Sequence, residues 1–258
     1  MEASFVTGEE TALISVMEGK QAMPRVRPPF PAMKGYQNSP TLIQNTETLA
    51  NVSAVFQMGP EYVSGAGTDR SKGTKVITLS GDVVHPYTVE VEFGTTLRSI
   101  VEELGGGVPD GKTLKAVQFG GPTGAYVHAD SLDIPLDYEP MEEAGTIMGS
   151  GTMKVLADDS CAVETCRDIL SYIHDQSCGK CVFCREGSHQ MADILAGISE
   201  RSGKPQDLDL LKELGEAMKT GCICGLGRTA PNPVLSSIRL FRDEYDFHIK
   251  EKRCPVKE

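Results

Sequence analysis

The run SCGKCVFC places Cys178, Cys181 and Cys184 at i, i+3 and i+6, and GCICGLG adds Cys222 and Cys224 some forty residues on. No other feature constrains the chain as much. Three thiols so close can wrap one corner of a cubane from a single short loop, and a distant fourth completes a known layout for [4Fe-4S] ligation. Zinc is the main competitor, although structural zinc usually takes separated CxxC pairs or mixed Cys/His sets. The spacing therefore predicts a [4Fe-4S] cluster on Cys178, Cys181, Cys184 and one residue of GCICG. Cys224 is the expected fourth ligand and Cys222 its rival, because spacing alone does not rank two residues of one loop. The cysteine loop runs into a helix expected to begin near Arg185, whose first backbone N–H groups would face an anionic centre. Lys180 and Arg185 add positive charge, which together with those amides favours the reduced state.

The remaining ligand-type residues have plainer readings. Cys166 lies on an apolar helical stripe as a small buried hydrophobe. Cys161 is structural or free, and Cys254 in KRCPVKE has no cysteine near it. His174 and His189 flank the cysteine loop but read as surface residues near helix ends, and His85, His128 and His248 carry no signal.

Composition narrows the setting. A net charge of −11 opposes a role on nucleic acid, which needs a cationic face. No stretch approaches the roughly 20 uninterrupted apolar residues of a membrane helix. The opening MEASFVTGEETALI lacks the basic start and apolar run of a secretory signal. Eight cysteines without such a signal point to metal or redox chemistry in a reducing compartment, the cytoplasm or the cytoplasmic face of a complex.

The pattern along the 258 residues divides into three zones of an α+β chain. Residues 1–64 carry TGEETALISVMEGK, the proline-rich PRVRPPFPAMKG and SPTLIQNTETLANV. Pro24, Pro28, Pro29 and Pro31 exclude a helix interior, so that stretch is expected to run extended. Residues 73–156 read as a mixed unit: KVITLSG and YTVEVEF alternate as strands, TLRSIVEELGG is helical, and LKAVQFGG is a further strand. That order suits a β-grasp module. Residues 158–250 turn helical, with four amphipathic segments that predict a small bundle. Asp159 or Ser160 is the expected cap of the first, and Asn232 with Pro233 opens the fourth.

SCGKCVFCREG followed by CGLGRTAPNPVLSSIRLFRDEY closely resembles the cluster-binding region of the flavoprotein subunit of NADH dehydrogenases, and most of all the soluble β subunits of NAD(P)-linked iron hydrogenases. The resemblance runs through the whole chain in order. TGEETALISVMEGK, PRVRPPFPA and SPTLIQNTETLANV resemble the last part of that family's flavin domain, and VEVEFGTTLRSIVEELGGG onward resembles its soluble-ligand-binding β-grasp module. It implies that Gly8, Glu9, Glu10, Asn45 and Thr48 lie against FMN and the adjacent NAD(H) site. It also implies a thioredoxin-like [2Fe-2S] partner within a multi-subunit oxidoreductase. Gln44 stands where the family often has a second asparagine.

The chain departs from that family in lacking the glycine-rich loop that approaches the FMN phosphate. Gly105, Gly106 and Gly107 only stop a helix before a strand. The chain is thus expected to be a fragment, a split subunit or a paralogue, with FMN bound only beside a partner or a complete flavin domain. Two functions follow. One is an electron-transfer subunit that takes electrons from NADH through FMN and relays them through the cluster. The other is a non-catalytic iron-sulfur relay or assembly module without flavin.

Overall fold

Alternation in TKVITLSG, with Lys75, Ile77 and Leu79 buried between exposed neighbours, sets the first strand of a five-stranded sheet in a computed structural model describing residues 4–257. The strands are β1 (Thr74–Gly81), β2 (Thr88–Glu92), β3 (Leu114–Phe119), β4 (Ala125–His128) and β5 (Thr152–Ala157), in the order β2-β1-β5-β3-β4. Only the central β1–β5 pair is parallel, with Thr78 opposite Thr152; the other pairs are antiparallel. Helical turns Leu97–Ser99 and Ile100–Leu104 cover one face, closed at Leu97 by a Thr96 side-chain cap. These elements supply the expected β-grasp arrangement and add β4 and β5, which the sequence pattern does not separate.

The two faces of the sheet feed two cores. Val117, Phe119, Val127 and Val155 pack with Leu97, Ile100 and Val101, while Ala116, Tyr126 and Leu156 join the helical core on the other side. Successive side chains on β3, β4 and β5 therefore bind opposite layers together, which leaves β3 buried on both faces.

The helical part has long helices Ala162–Asp175, Val182–Ser199, Asp207–Gly221 and Asn232–Leu240, with short helices at Gly225–Thr229 and Arg242–Asp246. Val163, Cys166, Leu170 and Ile173 form the buried stripe of the first, as their spacing predicts. Three local expectations change. Cys161 occupies the N-cap position of the first helix, while Ser160 donates its hydroxyl to Asp82 (2.5 Å). The helix after the cysteine loop starts at Val182, one turn before Arg185. The spacing of Val234, Ile238, Phe241 and Tyr245 suggests one continuous last helix, but it breaks at Phe241 and Tyr245 sits in the following short helix.

The first zone holds helices Glu10–Met17 and Thr46–Met58, and Pro31 takes the first position of a short helix Pro31–Lys34 where an extended run was expected. This zone is tied to the rest at a few points. Val6 enters the helical core, Phe5 N–H donates to Gln176 Oε1 (2.7 Å), and Lys180 Nζ donates to the Pro24 carbonyl (2.6 Å). Among the described residues no helix is long and apolar enough to cross a membrane.

Candidate metal centre

The cysteine loop is a turn between two long helices. After Asp175 the chain reverses through Gly179, whose φ of +70° is open to glycine at little cost. Ser177 Oγ accepts from the Gly179 amide (3.2 Å) and lies 3.3 Å from Cys184 Sγ. Arg185 reaches back to the Gly179 carbonyl at 2.7 Å, so one face of the loop is pinned by a guanidinium. Cys181 is the N-cap residue of the next helix and its side chain makes no capping bond, which leaves its sulfur available. Cys178 and Cys181 are half-buried, and Cys184 is buried one turn into the helix.

GCICG reaches this loop from the far side of the bundle. Glycines make the approach close: a Cβ at Gly221 would run into the Phe183 ring, and one at Gly227 would lie 2.7 Å from Cys222 Sγ and 3.3 Å from Cys184 Cβ. Cys222 ends the Asp207–Gly221 helix, with its carbonyl held by Arg228 Nε (2.8 Å), and Cys224 begins the next short helix. Both are buried.

The thiols influence one another. A hydrogen bond from Cys222, aided by Ser177 and Cys181, lowers Cys184 to about 6, so this sulfur is ready to ligate as thiolate. The same contact pushes Cys222 up. Burial raises Cys224, which faces Cys184, Cys178 and Cys181 and accepts from the Gly227 amide. Close pairs such as Cys184 and Cys222 do not extend to three sulfurs gathered as tightly as one ion requires. Among the described residues, the three-donor group gathered within 4.8 Å lies elsewhere. Thiols brought together from two loops, without three of them on one point, fit a cubane, which takes one thiolate per iron, better than mononuclear zinc.

Other predicted site residues scatter. Glu9 caps the Glu10–Met17 helix through the Thr11 and Ala12 amides and, with Glu10, pairs with Arg27. Asn45 caps the Thr46–Met58 helix through the Glu47 amide (2.8 Å), and Asn45, Thr48 and Gly8 are exposed. The nearby cavity of about 210 Å³ is lined by Thr11, Arg25, Pro29 and Lys34 and includes none of the five. These residues do not enclose a flavin pocket by themselves. His174 and His189 stack at 5.1 Å, with His174 Nδ1 3.1 Å from Ser188 Oγ, whose proton goes to the Cys184 carbonyl (2.6 Å).

One meeting of residues has no counterpart in the sequence pattern. Cys161, His248 and Cys254 come together in the interior, with Cys161 Sγ 3.3 Å from His248 Nε2. Their separation along the chain gives no motif.

Residues 164–248 match the family model of the NADH-ubiquinone oxidoreductase-F iron-sulfur binding region. Over 253 residues the chain is 46% identical to HndC, a component of the NADP-reducing hydrogenase of Solidesulfovibrio fructosivorans, covering 98% of this chain and 52% of the relative. It is 38% identical to the F 2 component of the NADH-quinone oxidoreductase of Rhizobium meliloti, covering 98% and 60% respectively. A crystal structure of an NAD+-reducing [NiFe]-hydrogenase in the H2-reduced state superposes with a TM-score of 0.87 at 34% identity, over 96% of this chain and 42% of that one. The resemblance read in the sequence is borne out, and the chain spans about half the length of these relatives.

Proposed function

We propose that this chain, whose residues 164–248 match an NADH-ubiquinone oxidoreductase-F iron-sulfur binding region, is an electron-transfer part of an NADH dehydrogenase-type oxidoreductase. The observation that carries the reading is the convergence of the 178–184 loop and GCICG on one space, with Cys184 held toward the thiolate. Cys178, Cys181, Cys184 and Cys224 would hold a [4Fe-4S] cluster, which supplies one-electron transfer when bound. The amide of Gly227 turned to Cys224 Sγ supports Cys224 over Cys222 as the fourth ligand. Cys222 would instead be the wall between Cys184 and Gly227.

The chain's own groups position and tune that centre. Arg185 and Lys180 hold the loop through carbonyls of Gly179 and Pro24, so both cations stay close to the developing negative charge. In the assembled oxidoreductase, electrons would come from NADH through FMN, with Gly8, Glu9, Glu10, Asn45 and Thr48 forming one wall of a site that a partner or the rest of a flavin domain completes. A thioredoxin-like [2Fe-2S] subunit is the expected neighbour. Eight unpaired cysteines support a reducing, cytoplasmic setting. The domain limits proposed are 1–64, 73–156 and 158–250.

The exposure of Gly8, Asn45 and Thr48, with Glu9 and Glu10 taken up by Arg27, favours a second reading for the chain alone, an iron-sulfur relay without flavin. Iron, sulfide and flavin measured on the purified chain, with and without its partner subunits, test both. About four irons per chain with flavin only in the assembly is the expected result. Iron without flavin in either sample supports the relay, and zinc in place of iron sinks both. Serine at Cys178, Cys181, Cys184 or Cys224 should abolish the cluster's visible absorbance, whereas Cys222→Ser should keep it.

A further inference from the structure

His174 lies in the last turn of the helix before the cysteine loop, His189 on the helix after it, and their rings stack at 5.1 Å. Resting on the electron-transfer reading, we infer that these two histidines are a proton-binding pair linked to the cluster. An electron entering the centre raises their hold on a proton from solvent, and a proton on them favours the reduced centre.

Hydrogen bonds fix where that proton goes. Ser188 is fully buried and donates its one hydroxyl proton to the Cys184 carbonyl at 2.6 Å. Its oxygen, 3.1 Å from His174 Nδ1, is left to accept, so Nδ1 carries the proton of the neutral ring. The open nitrogen is Nε2, which takes a further proton without breaking the Ser188 bond. His189 is arranged alike: its Nδ1 lies 3.2 Å from Asp193 Oδ2 and donates to it, and the residue is exposed, which gives the pair access to water. Two positive rings at 5.1 Å repel, so the pair holds one added proton and resists a second.

The link to the centre is short. Ser188 sits one turn after Cys184, so a positive His174 polarises the peptide of a proposed ligand through a single hydroxyl. The Val182–Ser199 helix brings His189 with Asp193, and the Arg185–Glu186 pair one turn earlier. On its own helix the next residue is Asp175, and Ser4–Gly8, held on Gln176 through Phe5, carries no titratable side chain. The other helices packed on Ala162–Asp175 meet it farther back, at Cys166 through the Pro233 carbonyl and at the Ala162 amide through Glu244. A unit charge added roughly 10 Å away, at an effective dielectric of about 20, changes a proton affinity by roughly tenfold. Linkage is reciprocal, so the same factor enters the centre's tendency to take an electron. One electron comes from the reduced flavin of the assembly, one proton comes from solvent to Nε2, and only an N–H bond forms.

The test uses the purified chain with its cluster in place, reduced stepwise with dithionite without oxygen and followed by electron paramagnetic resonance. Midpoints are read between about pH 5.5 and 9, a range that brackets ordinary imidazole titration. A tenfold linkage makes the midpoint fall by about 59 mV in total from the acid to the alkaline limit. The double variant His174→Gln, His189→Gln should keep about four irons per chain and flatten the profile. A merely structural role would change the iron content, or move the midpoint equally at every pH. If the double variant loses its iron, Asp193→Asn decides: removing that exposed carboxylate weakens the pair's hold on a proton, so the fall moves to lower pH. A wild-type midpoint constant over the range, an undiminished fall in the double variant, or an unmoved fall in Asp193→Asn would each overturn the inference. A chain without iron and sulfide fails the electron-transfer reading and this one with it, whereas a flat profile in cluster-loaded protein fails the pair alone.

Discussion

Asp137 is 5% exposed yet holds its charge, because three donors converge on it. Thr68 donates to Oδ2 at 2.6 Å, the Tyr138 amide to Oδ1 at 2.8 Å, and Ser71 adds a further bond to Oδ1. Burial raises its pKa, but the Ser71, Thr68 and Tyr138 bonds outweigh it and leave the carboxyl below the ordinary value of 3.8. The folded state thus binds fewer protons than the unfolded state as the group titrates. Its stabilisation is complete above the unfolded pKa and is lost as pH falls through the folded one. Asp137→Asn should cost about 2 kcal/mol at pH 7, and the gap to wild type should close below about pH 4. Paired urea titrations at pH 7, 5 and 3 read this difference, and the acid sensitivity common to both proteins cancels. A gap that stays constant down to pH 3 would show that the carboxylate charge is not the cause. Asp137 is invisible in the sequence because its donors, Thr68 and Ser71, lie more than sixty residues away. Cys178, Cys181 and Cys184 are legible for the opposite reason: one loop carries all three, so spacing is geometry.

Helices are easier to read than strands, and the cause lies in how each is buried. The 162–175 helix shows one stripe to the core, so its 3.6-residue period survives in the sequence. β3 and β4 are packed on both faces, which removes the period-two signal and merges β4 into the turn before it. Contacts between elements are not legible at all, and the Lys115–Glu244 pair is the clearest case. Lys115 on β3 and Glu244 on the Arg242–Asp246 helix form an ion pair with side chains only 10% and 14% exposed. Lys115 Nζ also donates to the Ser160 carbonyl (2.7 Å), and Glu244 accepts the Ala162 amide (3.0 Å) at the start of the first bundle helix. One pair thus joins sheet, bundle entrance and C-terminal helix. Removing one partner strands a desolvated charge, so Glu244→Leu should cost about 3 kcal/mol. Adding Lys115→Met should recover a large part of that loss, since apolar replacement of a buried pair is often close to neutral. Denaturant midpoints for wild type, both single variants and the double variant check the cycle, and additive losses would refute the coupling.

At the scale of the molecule, cohesion is unevenly distributed. The sheet shares residues with both cores: Ala116, Tyr126 and Leu156 pack in the bundle while their neighbours pack under the β-grasp helix, so those two parts should unfold together. Residues 18–64 contribute far less. The Thr46–Met58 helix buries no residue, and Leu49, Val52 and Phe56 are exposed, Phe56 at 87%. Its attachment to the sheet runs through Glu47, which pairs with Lys75 and accepts the Val76 amide (2.8 Å). Two polar links, one of them a half-buried ion pair, are a small attachment, whereas opening the 162–175 helix would expose Val163, Leu170 and Ile173 together. Limited proteolysis of the purified chain should therefore cut first within 40–64. The fragment that remains should begin near residue 65 and keep its iron, because all the candidate cluster ligands lie beyond that point. Mass spectrometry of the first stable fragment and its iron content decide the matter. A first cut between 162 and 250, or loss of iron with a cut at 40–64, would mean that the first zone is part of what holds the cluster bundle together.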